Sequence, residues 1–430
     1  MGVPGSGLLA AVKADADAVR GEFRETQLPG GVRVLTEHIP GVRSVSAGIW
    51  IRHGAAHDPP KLAGISHLLE HLVFKGTSKR SAHEIALALE RLGGSLDAFT
   101  SKEHTAFQAR VLSEHLPIAW EVLADLVLNP LLRETDLALE REVVLEEIST
   151  VDDTPDDLVF ELHGEALWDA HPYGQSILGT RTTVGGLDAE ALQALHRERY
   201  LAGPIIVAAA GCLDHQRFVE EVSRSLGSRP ELLNPTVPEV SFETTARDVR
   251  VPREGAQTHL VFGTRTPPRA DAARFPLILL SAAFGGGMGS RLFQKIREEL
   301  ALGYSVYSFQ SFHSRAGIAG VYVGTRPEWG DRAAEAVLAE YAKLAKDGLG
   351  PREFDEVKNQ VKGQVMLSLE STGSRLFRLA GFALHDQPTL TLDELLASIE
   401  AVTRDEVADL ASHYFDPERQ VVLRLGPGEG

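Results

Sequence analysis

His67 and His71 stand four residues apart with Glu70 between them, in the run Gly64-Ile65-Ser66-His67-Leu68-Leu69-Glu70-His71-Leu72-Val73-Phe74. As a helix, this run places both imidazoles on one face, one turn apart, where they can converge on a single divalent ion. Glu70, three residues after His67, lies where a carboxylate can take a proton from water bound to that ion. The chemistry is hydrolysis with Glu70 as general base. A catalytic zinc usually takes three protein ligands and keeps one position for water, so a third ligand is required. Glu147 is the best candidate, near the end of the charged stretch Leu139-Glu140-Arg141-Glu142-Val143-Val144-Leu145-Glu146-Glu147-Ile148, whose apolar residues have helical spacing. Glu140, two turns earlier on that face, could hydrogen-bond the second nitrogen of a ligating histidine and fix its tautomer. Two solvated or core histidines with a salt-bridging glutamate would give the same pattern, so the pair alone does not decide.

These side chains need elements to hold them. Gln27 to Glu37 reads as a hairpin turned by Pro29-Gly30-Gly31, and Val45 to Ile51 alternates as a sheet strand. Arg52 to Lys61, with Pro59-Pro60, is a loop leading into the histidine helix. A second helix over Ala82 to Leu92 is closed by Gly93-Gly94 and followed by a strand from Ser95 to Leu112, broken by a turn. Helices follow at Leu116 to Leu128, Glu134 to Val151 and Asp188 to Tyr200, with a buried strand at Pro204 to Gly211. An edge strand beside the metal could pair with an extended peptide through main-chain hydrogen bonds, which suits broad selectivity.

Gly227 to Asp248 is rich in Pro, Ser, Thr and charge and reads as an interdomain linker. Beyond it the order of elements recurs at an offset of about 210 residues, a sign of duplication. His259 to Gly263 stands in for the Ser46 to Ile51 strand, Phe275 to Phe284 for the histidine helix, and Gly317 to Gly324 for the later strand. At the helical position the second half carries Leu279-Leu280-Ser281-Ala282-Ala283, which offers no ligands. Gly285 to Gly289 lacks both the Gly-x-Gly-x-x-Gly and the Gly-Lys-Ser/Thr pattern, so it is read as a flexible helix cap and not as a phosphate loop. The expected domains are 24–226 with the metal site, a linker at 227–248, and 249–426 without one.

With 430 residues, two domains are expected, each able to bury a core. Acidic residues outnumber basic ones 60 to 43, a formal charge of −17, which argues against nucleic acid or an anionic membrane and would favour basic peptides. Cys212 is the single cysteine, which excludes an intrachain disulfide and a thiolate-rich zinc site; it reads as a small buried residue at a strand end. Met1 to Phe23 has neither the basic start nor the long apolar core of a secretory signal, and no run reaches about 18 apolar residues. A frayed start, a cytoplasmic setting and no membrane span are therefore expected.

His-x-x-Glu-His is the inverted zinc-peptidase signature, and from about Leu28 to Leu425 the chain resembles the pitrilysin/insulinase family, on its mitochondrial-processing-peptidase-like branch. Gly93 to Thr105 resembles that family's strand beside the metal, and His171-Pro172-Tyr173-Gly174 a later loop. The resemblance implies one zinc per chain on His67, His71 and Glu147, with Glu70 activating water and Glu140 supporting a ligand. It makes Asp97, Ala98 and Phe99 the substrate-binding edge, with Asp97 departing from the usual asparagine. Arg297 and Tyr304 match an arginine and tyrosine pair that reaches the substrate backbone and steadies an oxyanion, against a plainer reading as a surface ion pair and a core tyrosine. The implied fold is α+β, two duplicated halves, each a mainly antiparallel sheet with helices packed on one side. Such families work as clamshells of four halves, which implies a homodimer here, or a heterodimer with a related chain. The implied activity is a zinc-dependent endopeptidase; the alternatives are a catalytically silent scaffold subunit and a metal-binding protein without turnover.

Overall fold

Two separate sheets form, one from each half of the chain, in a computed structural model that describes residues 22–227 and 235–427. Residues 1–21 of the start expected to fray, and 228–234 of the expected linker, lie outside the described residues, whereas Glu22 and Phe23 already belong to the first strand. The first sheet contains β1 (Glu22–Gln27), β2 (Arg33–His38), β3 (Ser44–Ile51), β4 (Ser95–Thr100), β5 (Thr105–Leu112) and β6 (Ile205–Gly211), in the order β1-β2-β6-β3-β5-β4. Pro29-Gly30-Gly31 does make the first turn: both glycines have φ near +80°, which only glycine adopts without strain, and Leu28 N–H closes the loop on the Val32 carbonyl at 2.8 Å. The stretch read as one long strand after the second helix is two antiparallel strands, β4 and β5, reversed at 101–104.

The second sheet contains β7 (Arg247–Pro252), β8 (Thr258–Thr266), β9 (Gly303–Phe312), β10 (Gly317–Thr325) and β11 (Val421–Gly426), in the order β7-β11-β8-β10-β9. It repeats the first sheet strand for strand once β1 is set aside. In each, a parallel pair (β2 with β6, β7 with β11) is followed by three antiparallel pairings in the same spatial order. Duplication is thus visible in topology where sequence identity is low.

Helices of its own half cover one face of each sheet, as expected. In the first, Leu116–Leu128 packs on β3 and β5, and His215–Leu226 on β2, where Thr36 Oγ1 and His215 Nδ1 are 2.8 Å apart. The opposite faces are closed by helices from the other half of the chain, which sequence order does not foretell. Helix Thr372–Leu384 lays Leu376, Leu379, Ala380 and Ala383 on Leu35, Trp50, Ile206 and Ala208. Each leucine so buried contributes about 1.5–3 kcal/mol. Its position along β2 is set by Glu37, buried between Arg375 (2.6 Å) and Arg378 (3.0 Å), and by the 2.9 Å bond between Ser46 and Thr372 hydroxyls. Buried charges of this kind fix an arrangement more than they stabilise it.

The second sheet mirrors this device. Helices Arg274–Gly285, Gly330–Asp347 and Arg404–Tyr414 build one core with Leu260, Phe262, Leu280, Phe284, Tyr341 and Phe415. The other face is closed by Pro155–Trp168, whose Val159 joins Val261, Tyr322 and Leu423 and whose Phe160 ring stacks on Tyr322 at 5.6 Å. Two compact units result, each from three stretches: the described parts of Met1–Val144, Ile177–Pro235 and Ser368–Thr389, and of Leu145–Ser176, Thr236–Leu367 and Leu390–Gly430. The division 24–226, 227–248 and 249–426 therefore describes the chain's order and not its packing. The unit boundary falls inside the helix Glu134–Asp153, which is itself unbroken.

Candidate metal centre and active site

The histidine run is a helix, Ile65–Val73, and its amphipathic pattern explains its seating: Ile65, Leu68, Leu69, Leu72 and Val73 are buried, while His67 and His71 remain half-buried on another face. Gly64 precedes the helix at φ +91°, and a Cβ there would lie 2.5 Å from the Leu178 carbonyl oxygen, so the chain can turn in only as glycine. Having no side chain, Gly64 cannot cap the helix. Asp58 does so from the preceding loop: Ser66 donates its backbone N–H (3.2 Å) and its hydroxyl (2.5 Å) to the two Asp58 oxygens, and His53 Nε2 lies 3.3 Å away. The Asp58 side chain is fully buried, so these donors have no water to fall back on. Asp58→Ala should destabilise the zinc-free protein by roughly 3 kcal/mol, as a lost cap plus buried unsatisfied donors. Urea unfolding followed by circular dichroism measures it; a change below about 0.5 kcal/mol, the size of an ordinary surface substitution, would deny Asp58 this role.

The imidazoles of His67 and His71 are 4.7 Å apart between ring centres. One ligand atom each from His67, His71 and Glu147 all lie within 4.8 Å of one another, the only such group among the described residues. Glu147 and Glu140 share the helix Glu134–Asp153, and seven residues of helix advance about 10 Å. That spacing lets one helix serve both sides of the rings. Glu140 Oε2 accepts from His71 Nδ1 at 3.1 Å and Oε1 accepts from Lys75 at 2.7 Å, so His71 keeps its other nitrogen, Nε2, for a ligand. His67 is pushed down to about 4 by burial and, next, by the neighbouring His71, so it is neutral near pH 7 and offers a lone pair. Two imidazoles and a carboxylate, oriented by a further carboxylate, are a donor set that fits zinc.

Glu70 is buried at 9% exposure. Thr100, the last residue of β4, donates its hydroxyl to Glu70 Oε2 at 2.6 Å. Thr105, paired with Thr100 across the β4–β5 ladder, has its Oγ1 3.4 Å from that of Thr100 and donates to the His53 carbonyl at 3.0 Å. The Tyr200 phenol close by is held protonated, first by burial and then by the Glu70 charge. Asp97, Ala98 and Phe99 occupy β4, which ends the sheet and has a strand partner on one side only among the described residues. The Phe99 ring turns away to Phe377 (5.8 Å between ring centres), leaving its main chain on the edge.

In the second unit Arg297 and Tyr304 are brought together. The guanidinium carbon stands 4.7 Å from the Tyr304 ring centre and 4.7 Å from that of Phe293. Tyr304 is 79% exposed at the start of the edge strand β9, so the reading as a core tyrosine fails: a phenol there borders solvent, and the cation stacks on it. Elsewhere, in the first unit, His53 stacks on His57 at 5.2 Å and His104 Nδ1 lies 3.0 Å from Ser101 Oγ. Sequence reasoning did not single out Asp58 or Thr100. Residue type gives no signal for either; their roles arise from a loop and a strand end meeting the helix.

The model of Insulinase (Peptidase family M16) matches residues 33–181, and that of the Peptidase M16 inactive domain matches 186–361. An uncharacterized zinc protease of Mycobacterium tuberculosis is 38% identical over 410 residues, covering 94% of this chain and 93% of that protein. Those of Streptomyces coelicolor and Bacillus subtilis are each 37% identical, covering 91% of this chain and 87% and 96% of themselves. Among solved structures, a peptidase M16 inactive domain from Pseudomonas fluorescens and a protease from Helicobacter pylori each have a TM-score of 0.88 over 95% of this chain and 99% and 100% of theirs. At 21% and 20% identity they show the fold.

Proposed function

From the premise that this chain belongs to the insulinase (M16) peptidase family, we propose that it is a zinc-dependent endopeptidase acting on peptides and short unfolded polypeptides. The observation that carries the reading is the meeting of His67, His71 and Glu147 within 4.8 Å beside a helix that also bears Glu70. These three residues would hold one zinc per chain, which when bound lowers the pKa of water and polarises the scissile carbonyl. Glu70 takes the proton of the attacking water on its carboxylate and delivers it to the leaving amine as the C–N bond breaks. The main chain of Asp97 to Phe99 pairs with the extended substrate as an added strand. Arg297 and Tyr304 supply a cation and a phenol that steady the tetrahedral oxyanion. Both the metal motif and this pair occur in one chain, which supports two identical chains as the working assembly. Helix 275–284, at the duplicated position, carries no such ligands, in keeping with a single metal site per chain.

The test is a fluorogenic peptide library digested by protein whose zinc content and light-scattering mass are measured on the same sample. Cleavage that stops with chelator and returns with about one zinc per chain, from a dimer, is the expected result. Chelator-insensitive cleavage would sink the metal mechanism, and bound zinc without any cleavage would make the chain a silent subunit. A monomer at micromolar concentration would remove the dimer.

A further inference from the structure

Glu70 sits in a place where a buried carboxylate needs a partner, and the kind of partner determines what the carboxylate can do. A lysine or arginine would hold it charged and make it a reluctant base; an apolar wall would leave its orientation open. Thr100 supplies neither. Its hydroxyl donates to Oε2 at 2.6 Å, a short bond typical of a hydroxyl on a carboxylate, and adds no charge. Thr100 Oγ1 also lies 3.4 Å from Thr105 Oγ1, whose hydrogen is given to the His53 carbonyl, so the hydroxyl that meets Glu70 is itself set by its strand partner.

Thr100 also ends β4, and Phe99, Ala98 and Asp97 immediately before it form the edge proposed to receive the peptide. The strand that would align the substrate therefore fixes the base as well. We infer that Thr100 is a positioning residue for Glu70: its hydroxyl orients the carboxylate and ties it to the substrate-pairing strand. This rests on the proposed peptidase reading and concerns only how its base is held. Misplacing a reacting group by about 1 Å costs around 10²-fold in rate, and that sets the scale of the effect.

Two near-isosteric pairs isolate the hydroxyl: wild type against Thr100→Val, and Thr100→Ser against Thr100→Ala. Within each pair the hydroxyl-free member should lose about 10- to 100-fold in kcat, with KM and zinc content little changed. Thr100→Ser should stay within about 5-fold of wild type, as expected where the hydrogen bond and not the methyl group carries the function. Melting temperature reports whether each variant folds, and if Thr100→Val does not, the Ser and Ala pair decides. Equal kcat within the pairs, or a loss confined to KM or zinc content, would overturn the inference. Wild-type protein that cleaves nothing would instead refute the peptidase reading, a separate outcome read before any variant is compared.

Discussion

Glu70→Gln should leave zinc bound and lower kcat by about 10³- to 10⁴-fold, the upper part of what general acid–base catalysis supplies. Glutamine keeps the size of the side chain and an oxygen to accept from Thr100, so the packing around this buried position survives. What it loses is the capacity to take a proton. No ligand of the His67, His71 and Glu147 group is touched, so zinc per chain should match wild type, and peptide should still bind. This combination separates a base from a prop: a structural glutamate would show its loss in zinc content or melting temperature, with kcat following in proportion. Stopped assays at saturating peptide, with metal analysis of the same sample, make the measurement. Residual kcat within about tenfold of wild type, well short of a general base's contribution, would mean that another group removes the proton and would take the mechanism down with it.

The parts of this site that sequence makes legible are those fixed by helical period. His67, Glu70 and His71 lie on one nine-residue helix, and Glu140 and Glu147 on another, so spacing alone predicts which side chains share a face. The pairing of Arg297 with Tyr304 came from resemblance, and its local geometry is a cation stacked on an exposed ring. What was not legible depends on approach in space. Asp58 reaches the helix start from a loop, and Thr100 meets Glu70 from a strand end thirty residues away. The exchanged helices belong to the same class. Pro155–Trp168 and Thr372–Leu384 carry ordinary apolar patterns, and nothing in either pattern says that each closes the sheet of the opposite half. The helix read as Asp188 to Tyr200 also changes character, an α-helix over Ala189–Leu195 passing into π-helical turns at His196–Leu201 that deliver Tyr200 toward the Glu70 network.

Glu147→Ala should act on the metal first and on the rate only as a consequence, and comparison with Glu140→Ala shows why. Glu140 touches the site through His71 Nδ1 at 3.1 Å, so its removal frees the ring orientation and leaves all three donors in place. Losing such an outer partner typically weakens metal binding about 10- to 100-fold. Glu147 is itself one of the three donors and the only carboxylate among them. Without it two imidazoles from a single helix remain, short of the three protein ligands a catalytic zinc uses. Its loss should therefore exceed the ~100-fold limit set by the outer partner, so that zinc is gone after dialysis that leaves Glu140→Ala partly loaded. Excess zinc should restore a share of turnover to Glu140→Ala and almost none to Glu147→Ala. Fold should persist in both, because Glu147 is half-buried and the helix around it is anchored by Leu137, Val144 and Ile148. A Glu147→Ala protein that holds zinc as tightly as wild type would break the link between this carboxylate and the two histidines, and the proposed metal centre would go with it.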